Sequence, residues 1–259
     1  MAEDERQEID WVGWLRRWDA QQAGYVPERE ERFSVMFDVL AELLPPSFMA
    51  LDLGCGPGSL TQRLLSRFPQ ARVIAIDLDP VMLALGRGAL GTGDDRLRWV
   101  CADLAARDWD KQVGDEQVDA VLSSTALHWL EPDALAGVYA DLARRLRPGG
   151  VLLNGDHMAF GPGTPTLSLL SDRRLGRQWT DAAFAARDIE TAEQWWTSFC
   201  AEPALAPVVA ERAQRFAGKQ RQESPPSFDA HVEALKSAGF REVGTIWQVH
   251  SNRILLAVR

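Results

Sequence analysis

Apolar residues along this chain follow two alternating rhythms between residues 48 and 158. Short, predominantly apolar runs stand at Phe48–Leu53, Arg72–Asp77, Leu97–Val100, Val118–Leu122 and Val151–Asn154, and each reads as a strand. Between them the apolar positions recur with helical spacing. Leu60, Leu64, Leu65 and Phe68 precede Pro69; Val81 to Leu85 follow Pro80; and Asp133 to Leu146 lead into Arg147-Pro148-Gly149-Gly150. Near the end, Phe228 to Ala238 reads as a helix capped by Ser227 and closed by Gly239. Val243–Val249 and Arg253–Val258 then flank His250-Ser251-Asn252 as a terminal hairpin. The pattern predicts an α/β fold: a doubly wound, mostly parallel, seven-stranded sheet with an antiparallel terminal hairpin.

Two segments fall outside that alternation. Trp11, Trp14, Leu15 and Trp18 make an apolar helical stripe, followed by a Gly24-Tyr25-Val26-Pro27 break. The stripe is either a lid helix or a helix packed on the sheet, with packing the expectation. Residues 159–226 open with Gly161-Pro162-Gly163, close with Ser224-Pro225-Pro226 and carry Trp179, Phe184, Trp195, Trp196, Phe199 and Phe216. Thr191 and Gln194 form a capping-box signature ahead of Trp195. The expected organisation is an N-terminal helical lid (1–44), a cofactor-binding core (45–158), a helical insertion or substrate cap (159–226) and a C-terminal helix with hairpin (227–259).

Composition narrows the function classes. With 259 residues, 46% apolar and 25% charged, disorder is excluded as the main state. No apolar run approaches the roughly 20 residues that cross a bilayer. The acidic start, Met1 to Glu8, is unlike a secretory signal, so a cytoplasmic protein is expected. Three scattered cysteines, Cys55, Cys101 and Cys200, fit neither a disulfide framework nor a zinc site, and no metal is expected. A net charge of -9 argues against a nucleic-acid or anionic-membrane partner.

The sharpest chemical signal is Asp52-Leu53-Gly54-Cys55-Gly56-Pro57-Gly58, between a strand and a helix. Glycines allow a tight turn and close backbone approach to a ligand, and the helix start offers N–H groups. Dinucleotide and S-adenosylmethionine sites share this design. A dinucleotide fingerprint wants Gly or Ala where this chain has Ser59, and a pyrophosphate would not welcome Asp52. Asp77 ends the second strand, where a carboxylate can accept ribose hydroxyls, and Asp103 follows the third, within reach of an adenine amine. Three acids in a row suit the ammonium, ribose and adenine amine of S-adenosylmethionine.

From Asp52 to Asn154 the chain resembles the class I S-adenosylmethionine-dependent methyltransferases. The resemblance rests on Asp52-x-Gly-x-Gly-x-Gly, Ile76-Asp77-Leu78-Asp79-Pro80-x-Met82-Leu83, Ala102-Asp103 and Leu146-Arg147-Pro148-Gly149-Gly150. Ser123 to Leu130 is most similar to small-molecule and carboxyl methyltransferases of the trans-aconitate and malonyl-carrier type. It implies a Rossmann-like core and S-adenosyl-L-methionine held by Asp52, Gly54, Gly56, Gly58, Asp77, Leu78, Met82, Ala102, Asp103, Leu104 and Ser123.

Methyl transfer from a sulfonium needs alignment, exclusion of water and, for some acceptors, a base. His128 is the first candidate base; a structural histidine, or one touching only the methionine end of the cofactor, are the alternatives. His157, beside Asp156, is the second candidate. His231 and His250 are expected to be solvated. Tyr25, Arg29, Trp129, Trp195 and Trp196 are candidates for a lid or substrate surface. Arg29 or Arg32 can bind a substrate carboxylate, although surface pairing with Glu28, Glu30 or Glu31 is the expected outcome.

The leading expectation is an enzyme that methylates a small molecule, with oxygen as the acceptor atom. A methyltransferase acting on tRNA or protein, a non-catalytic binder of S-adenosylmethionine or S-adenosylhomocysteine, and a nicotinamide-dependent oxidoreductase are the alternatives.

Overall fold

The structure, a computed structural model, describes residues 9–92, 95–219 and 225–259; the acidic start and Ser224 lie outside them. Among the described residues seven strands form one sheet: β1 (Met49–Leu53), β2 (Arg72–Asp77), β3 (Leu97–Cys101), β4 (Val118–Ser124), β5 (Leu146–His157), β6 (Glu242–Val249) and β7 (Asn252–Val258). Their order is β3-β2-β1-β4-β5-β7-β6; β1 to β5 are parallel, and β7 runs antiparallel between β5 and β6. This is the α/β sheet expected from the apolar runs.

Both faces of the sheet are covered, which is why its central strands are apolar on both sides. On one face α2 (Arg29–Leu43) and α3 (Ser59–Arg67) bury Phe33, Met36, Phe37, Leu40, Leu60 and Leu64. On the other, α5 (Pro132–Arg145) and α10 (Phe228–Ser237) bury Leu135, Val138, Tyr139, Leu142 and Leu235. Strand order reverses between β1 and β4, so the loops leaving these two neighbours diverge into a crevice at their carboxyl ends. There Gly54 has φ 63°, and a Cβ built on it would stand 2.3 Å from the Cβ of Ala126.

Two element ends and one side chain differ from expectation for tertiary reasons. The fourth helix, α4 (Pro80–Leu90), continues five residues past Leu85 through Gly86 and Gly88. A Cβ on Gly86 would meet Trp99 at 2.4 Å and one on Gly88 would meet Trp11 at 2.2 Å, so indole packing holds residues that intrinsic propensity would leave frayed. Leu146 caps α5 as expected but also opens β5, ahead of the expected start at Val151, so the Pro-Gly-Gly turn is absorbed into a bulged strand start. His231 is buried rather than solvated: its Nδ1 lies 2.7 Å from Tyr139 Oη, and burial pulls its pKa down to about 4.

The N-terminal stripe does not pack on the sheet. Helix α1 (Trp11–Tyr25) packs on α4 and on α8 (Ala192–Cys200), and together they enclose Trp14, Leu15, Val81, Met82, Leu85, Trp195, Phe199 and Leu205. Ring centroids of Trp14 and Phe199 are 4.9 Å apart, and those of Trp18 and Trp195 5.0 Å. The capping box at the start of α8 is formed, with Thr191 N donating to Gln194 Oε1 at 2.8 Å and Gln194 N to Thr191 Oγ1 at 3.3 Å. The rest of the insertion is α6 (Pro165–Gln178), α7 (Asp181–Ala185) and α9 (Ala206–Arg215).

Removing the fully buried indole with Trp195→Ala is expected to cost about 3–5 kcal/mol, read as a lower midpoint in denaturant melting. Gly54→Ala should destabilise through both the Ala126 contact and its positive φ. Adding Ala126→Gly should recover the contact part and leave a residue of about 1–2 kcal/mol for the left-handed backbone. Equal stability of the single and double variants would refute the contact.

Candidate functional site

From Leu53 the chain turns through Gly54-Cys55-Gly56-Pro57-Gly58 into α3. The three glycines have φ of 63°, 55° and 83°, a region costly for residues with a Cβ. Cys55 N donates to Ile76 O at 2.9 Å and Gly56 N to Asp77 Oδ2 at 2.7 Å, which lays the loop against the end of β2. A Cβ on Gly56 would meet only Trp18 of α1, at 4.0 Å. The backbone at Gly56 therefore faces a cradle whose roof is that indole.

The acids stand at the strand ends around this cradle. Asp52 is buried and accepts from Thr61 Oγ1 at 2.6 Å; burial, reinforced by the charge of Asp77, pushes its pKa up to about 7. Asp77 also accepts from Asp79 N at 2.8 Å, and burial raises it to about 6 against those N–H bonds. Asp103 accepts from Ala105 N at 3.0 Å and from Lys219 Nζ at 2.6 Å. Ser123 Oγ donates to Leu53 O at 2.9 Å, tying β4 to β1. Leu78 and Leu104 are partly exposed beside these acids, while Met82 and Ala102 are buried.

Sequence reasoning gave no role to the links that fasten the cap over this end of the sheet. Asp19 of α1 accepts from Ser59 Oγ at 2.6 Å, Arg29 Nη1 at 2.9 Å and Arg63 Nη2 at 3.0 Å. Burial works to raise Asp19, but these partners hold it below the usual carboxylate range. Arg212 of α9 donates to Asp79 at 2.6 Å, with its guanidinium 4.4 Å from the Trp196 ring. None of these pairs has a local signal, because the partners are ten to 133 residues apart.

On the far side of the crevice, β4 leads into Thr125, which has φ 58°, and a 3₁₀ turn at Leu127–Trp129. Thr125 N donates to Gly155 O at 2.9 Å. His128 N donates to Asp156 Oδ2 at 3.2 Å, and His128 Nδ1 lies 2.8 Å from Asp156 Oδ1. Asp156 is fully buried; burial alone would raise it, but His128 first, then Arg32 and His157, hold it at about 2. The carboxylate accepts from Nδ1–H, which leaves Nε2 as the ring nitrogen without that proton.

His157 N donates to Asp156 Oδ1 at 2.8 Å, and its ring Nδ1 lies 3.2 Å from Ser251 Oγ. Its Nε2 is buried without a partner among the described residues, and burial pulls the ring down to about 4. Trp129 and Trp179 flank the pair, their rings 4.6 Å from His128 and 5.8 Å from His157 and almost half exposed.

Several candidates sit elsewhere than expected. Trp195 is fully buried in the cap core and has no surface to offer a substrate. Tyr25 is the last residue of α1, not a loop residue reaching the crevice; its Oη accepts from Ala192 N at 3.2 Å and its ring lies 4.6 Å from Phe184. Arg29 is buried on Asp19, with Glu30 more distant at 3.9 Å. Arg32 is fully buried and bonds Asn252, Ser124 and Thr125 instead of a surface glutamate. Glu28 pairs with Arg174, Glu30 with Arg63, and Glu31 accepts from Trp247 Nε1 at 3.0 Å. His250 is exposed in the hairpin turn. Among the described residues no group of three or more His, Cys, Asp or Glu is arranged to hold a metal, and no helix is long and apolar enough to cross a membrane.

Comparison with known proteins agrees with this geometry. Residues 50–150 match the family described as a methyltransferase domain. The trans-aconitate 2-methyltransferase of Acidovorax ebreus (strain TPSY) is 32% identical over 228 residues, spanning 88% of this chain and 81% of that protein. That of Azoarcus sp. (strain BH72) is 40% identical over 136 residues, 52% of this chain and 49% of its own length. Human N-acetylserotonin methyltransferase, crystallised with S-adenosylmethionine, shares the fold at a TM-score of 0.51 and 15% identity, with 96% of this chain and 66% of that one covered. The donor set fits that cofactor, since a left-handed glycine cradle and three carboxylates meet a ligand rich in hydrogen-bond donors and carrying an ammonium group. The chain belongs to the class I S-adenosylmethionine-dependent methyltransferases.

Proposed function

We propose that the enzyme methylates an oxygen of a small-molecule acceptor that meets the protein at His128. The observation that carries this reading is the His128–Asp156 pair, 2.8 Å apart at the carboxyl ends of β4 and β5, across the crevice from the glycine loop. Bound S-adenosylmethionine supplies an electrophilic methyl group on sulfur. In this reading Asp52 is the partner of the ammonium group and Asp77 of the ribose hydroxyls. Each oxygen of Asp77 accepts one backbone N–H and keeps a lone pair for that purpose. Asp103 exchanges Lys219 for the adenine amine. Gly54, Gly56, Gly58, Leu78, Met82, Ala102, Leu104 and Ser123 shape the remainder of the cofactor site. Trp129 and Trp179 wall the acceptor side and keep water from the reacting oxygen.

A hydroxyl acceptor must lose its proton, and His128 takes it through Nε2 while Asp156 holds the ring and stabilises the imidazolium. The relatives named for trans-aconitate favour a second acceptor type, a carboxylate. Its oxygen needs no base, and a protonated His128 holds it by a charge-assisted hydrogen bond. The net charge of -9 supports neither tRNA nor another polyanion as substrate.

The test is transfer of label from methyl-labelled S-adenosylmethionine to a panel of small hydroxy compounds and carboxylic acids, trans-aconitate among them. Label should appear in a small molecule, and His128→Ala should lower turnover by about 10²–10⁴ with unchanged affinity for S-adenosylhomocysteine. A rate that climbs as pH rises identifies the base; one that falls identifies the cationic clamp. Label found only in protein or tRNA refutes the proposal.

The Asp52 assignment has its own signature. A carboxyl titrating near 7 is mostly protonated at pH 6, and an ammonium ligand binds its ionised form, so binding releases a proton. Affinity for S-adenosylhomocysteine should therefore weaken as pH falls below 7, approaching about tenfold per unit. Calorimetry at pH 6 in buffers of different ionisation heat should detect the released proton in the wild type and lose it in Asp52→Asn. An undiminished release in that variant rules the assignment out.

A further inference from the structure

We infer that Arg32 is a positioning residue for the crevice histidines: it clamps the turn that presents His128 and, acting with Asp156, sets how readily the ring of His157 takes up a proton. The inference rests on His128 being the residue that meets the acceptor.

The geometry is specific. Arg32 projects from α2, on one face of the sheet, and is fully buried. Its Nη1 donates to Asn252 Oδ1 at 2.9 Å, at the start of β7. Its Nη2 donates to Ser124 Oγ at 2.7 Å and to Thr125 Oγ1, at the end of β4. One guanidinium thus joins two strands that are separated in the sheet by β5. The intervening strand makes room for it, since a Cβ on Gly155 would stand 2.9 Å from Arg32 Cδ.

Two features require more than a filler there. Thr125 is β-branched yet has φ 58°, a strained conformation that needs external restraint. Arg32 restrains its hydroxyl, and Gly155 O its N–H, three residues before His128. Secondly, among the described residues the guanidinium donates to neutral oxygens and no direct ion pair cancels its charge. An apolar side chain would occupy such a place at less desolvation cost, which singles out the charge as the useful part.

The charge acts at a distance. Asp156 is ionised between Arg32 on one side and the rings of His128 and His157 on the other. Asp156 favours protonation of the His157 ring, and Arg32 opposes it. The other charged or titratable groups acting on this cluster are Arg29 of α2 and Glu28 at its N-cap, Tyr139 of α5, Arg174 of α6 and His231 of α10, while Arg253 of β7 pairs in register with Asp156. Glu28 and Arg174 pair with each other, and Arg29 pairs with Asp19. Arg32 remains the buried cation whose charge reaches both Asp156 and His157.

The experiment is nuclear magnetic resonance on the full chain labelled in histidine rings and backbone amides, with His157→Gln used to assign the His157 signal. In Arg32→Gln, which keeps an amide but removes the charge, the His157 ring midpoint should rise by about one pH unit. In Arg32→Lys, which keeps the charge but loses the fork, that midpoint should stay within about 0.3 unit while the Ser124, Thr125 and His128 amides move. The inference requires both results. A static His157 midpoint in a folded Arg32→Gln overturns it, and so do static amides in Arg32→Lys, which decides alone if the glutamine variant does not fold. Ring titration is read without turnover, so failure of the label-transfer assay leaves this outcome independent.

Discussion

A parallel sheet buried on both faces leaves its polar side chains only the strand ends, and that constraint organises this protein. Asp52, Asp77 and Asp103 on one side, and His128, Asp156 and His157 on the other, all stand where β1 to β5 stop. The reversal of strand order between β1 and β4 turns a row of strand ends into a crevice with two walls. The walls touch at their base, where Gly54 passes Ala126 so closely that neither position tolerates added bulk. Chemistry and packing therefore share the same few residues.

Low polarity at those strand ends also governs the charges. Burial raises both Asp52 and Asp77 beside the glycine loop. Across the crevice Asp156 is equally buried but surrounded by His128, His157 and Arg32, and it stays ionised to about pH 2. Two carboxylates in similar burial thus hold different charge states because their neighbours differ. The cap joins this arrangement from above: an aromatic core fuses α1, α4 and α8, while Arg212, Lys219 and Asp19 tie the cap to Asp79, Asp103 and Ser59 at the core's rim.

The strands and most helices were legible because their signals are local. A run such as Arg72 to Asp77 has the apolar content of a strand buried on both faces, and Pro80 behind Asp79 marks a helix start from two adjacent residues. Gly86 and Gly88 lie past the expected helix end at Leu85, and what keeps them helical is indole packing from Trp99 and Trp11, outside the helix itself. His231 looked like a surface group for the same reason, its partner Tyr139 lying 92 residues away. Of the site, the glycine loop and its acids were legible from short spacing. The bonds of Arg32 to Asn252, 220 residues away, and of Lys219 to Asp103, 116 away, were not.

The amino-acid sequence alone determined the alternation of strands and helices, the glycine turn and the carboxylates that follow successive strands, since each depends on residues within one turn or one strand of each other. Tertiary structure decided which histidine received a carboxylate, where the tryptophans went and what a buried arginine held. Those outcomes depend on desolvation and on contacts closed across the whole fold, and no window of neighbouring residues contains them.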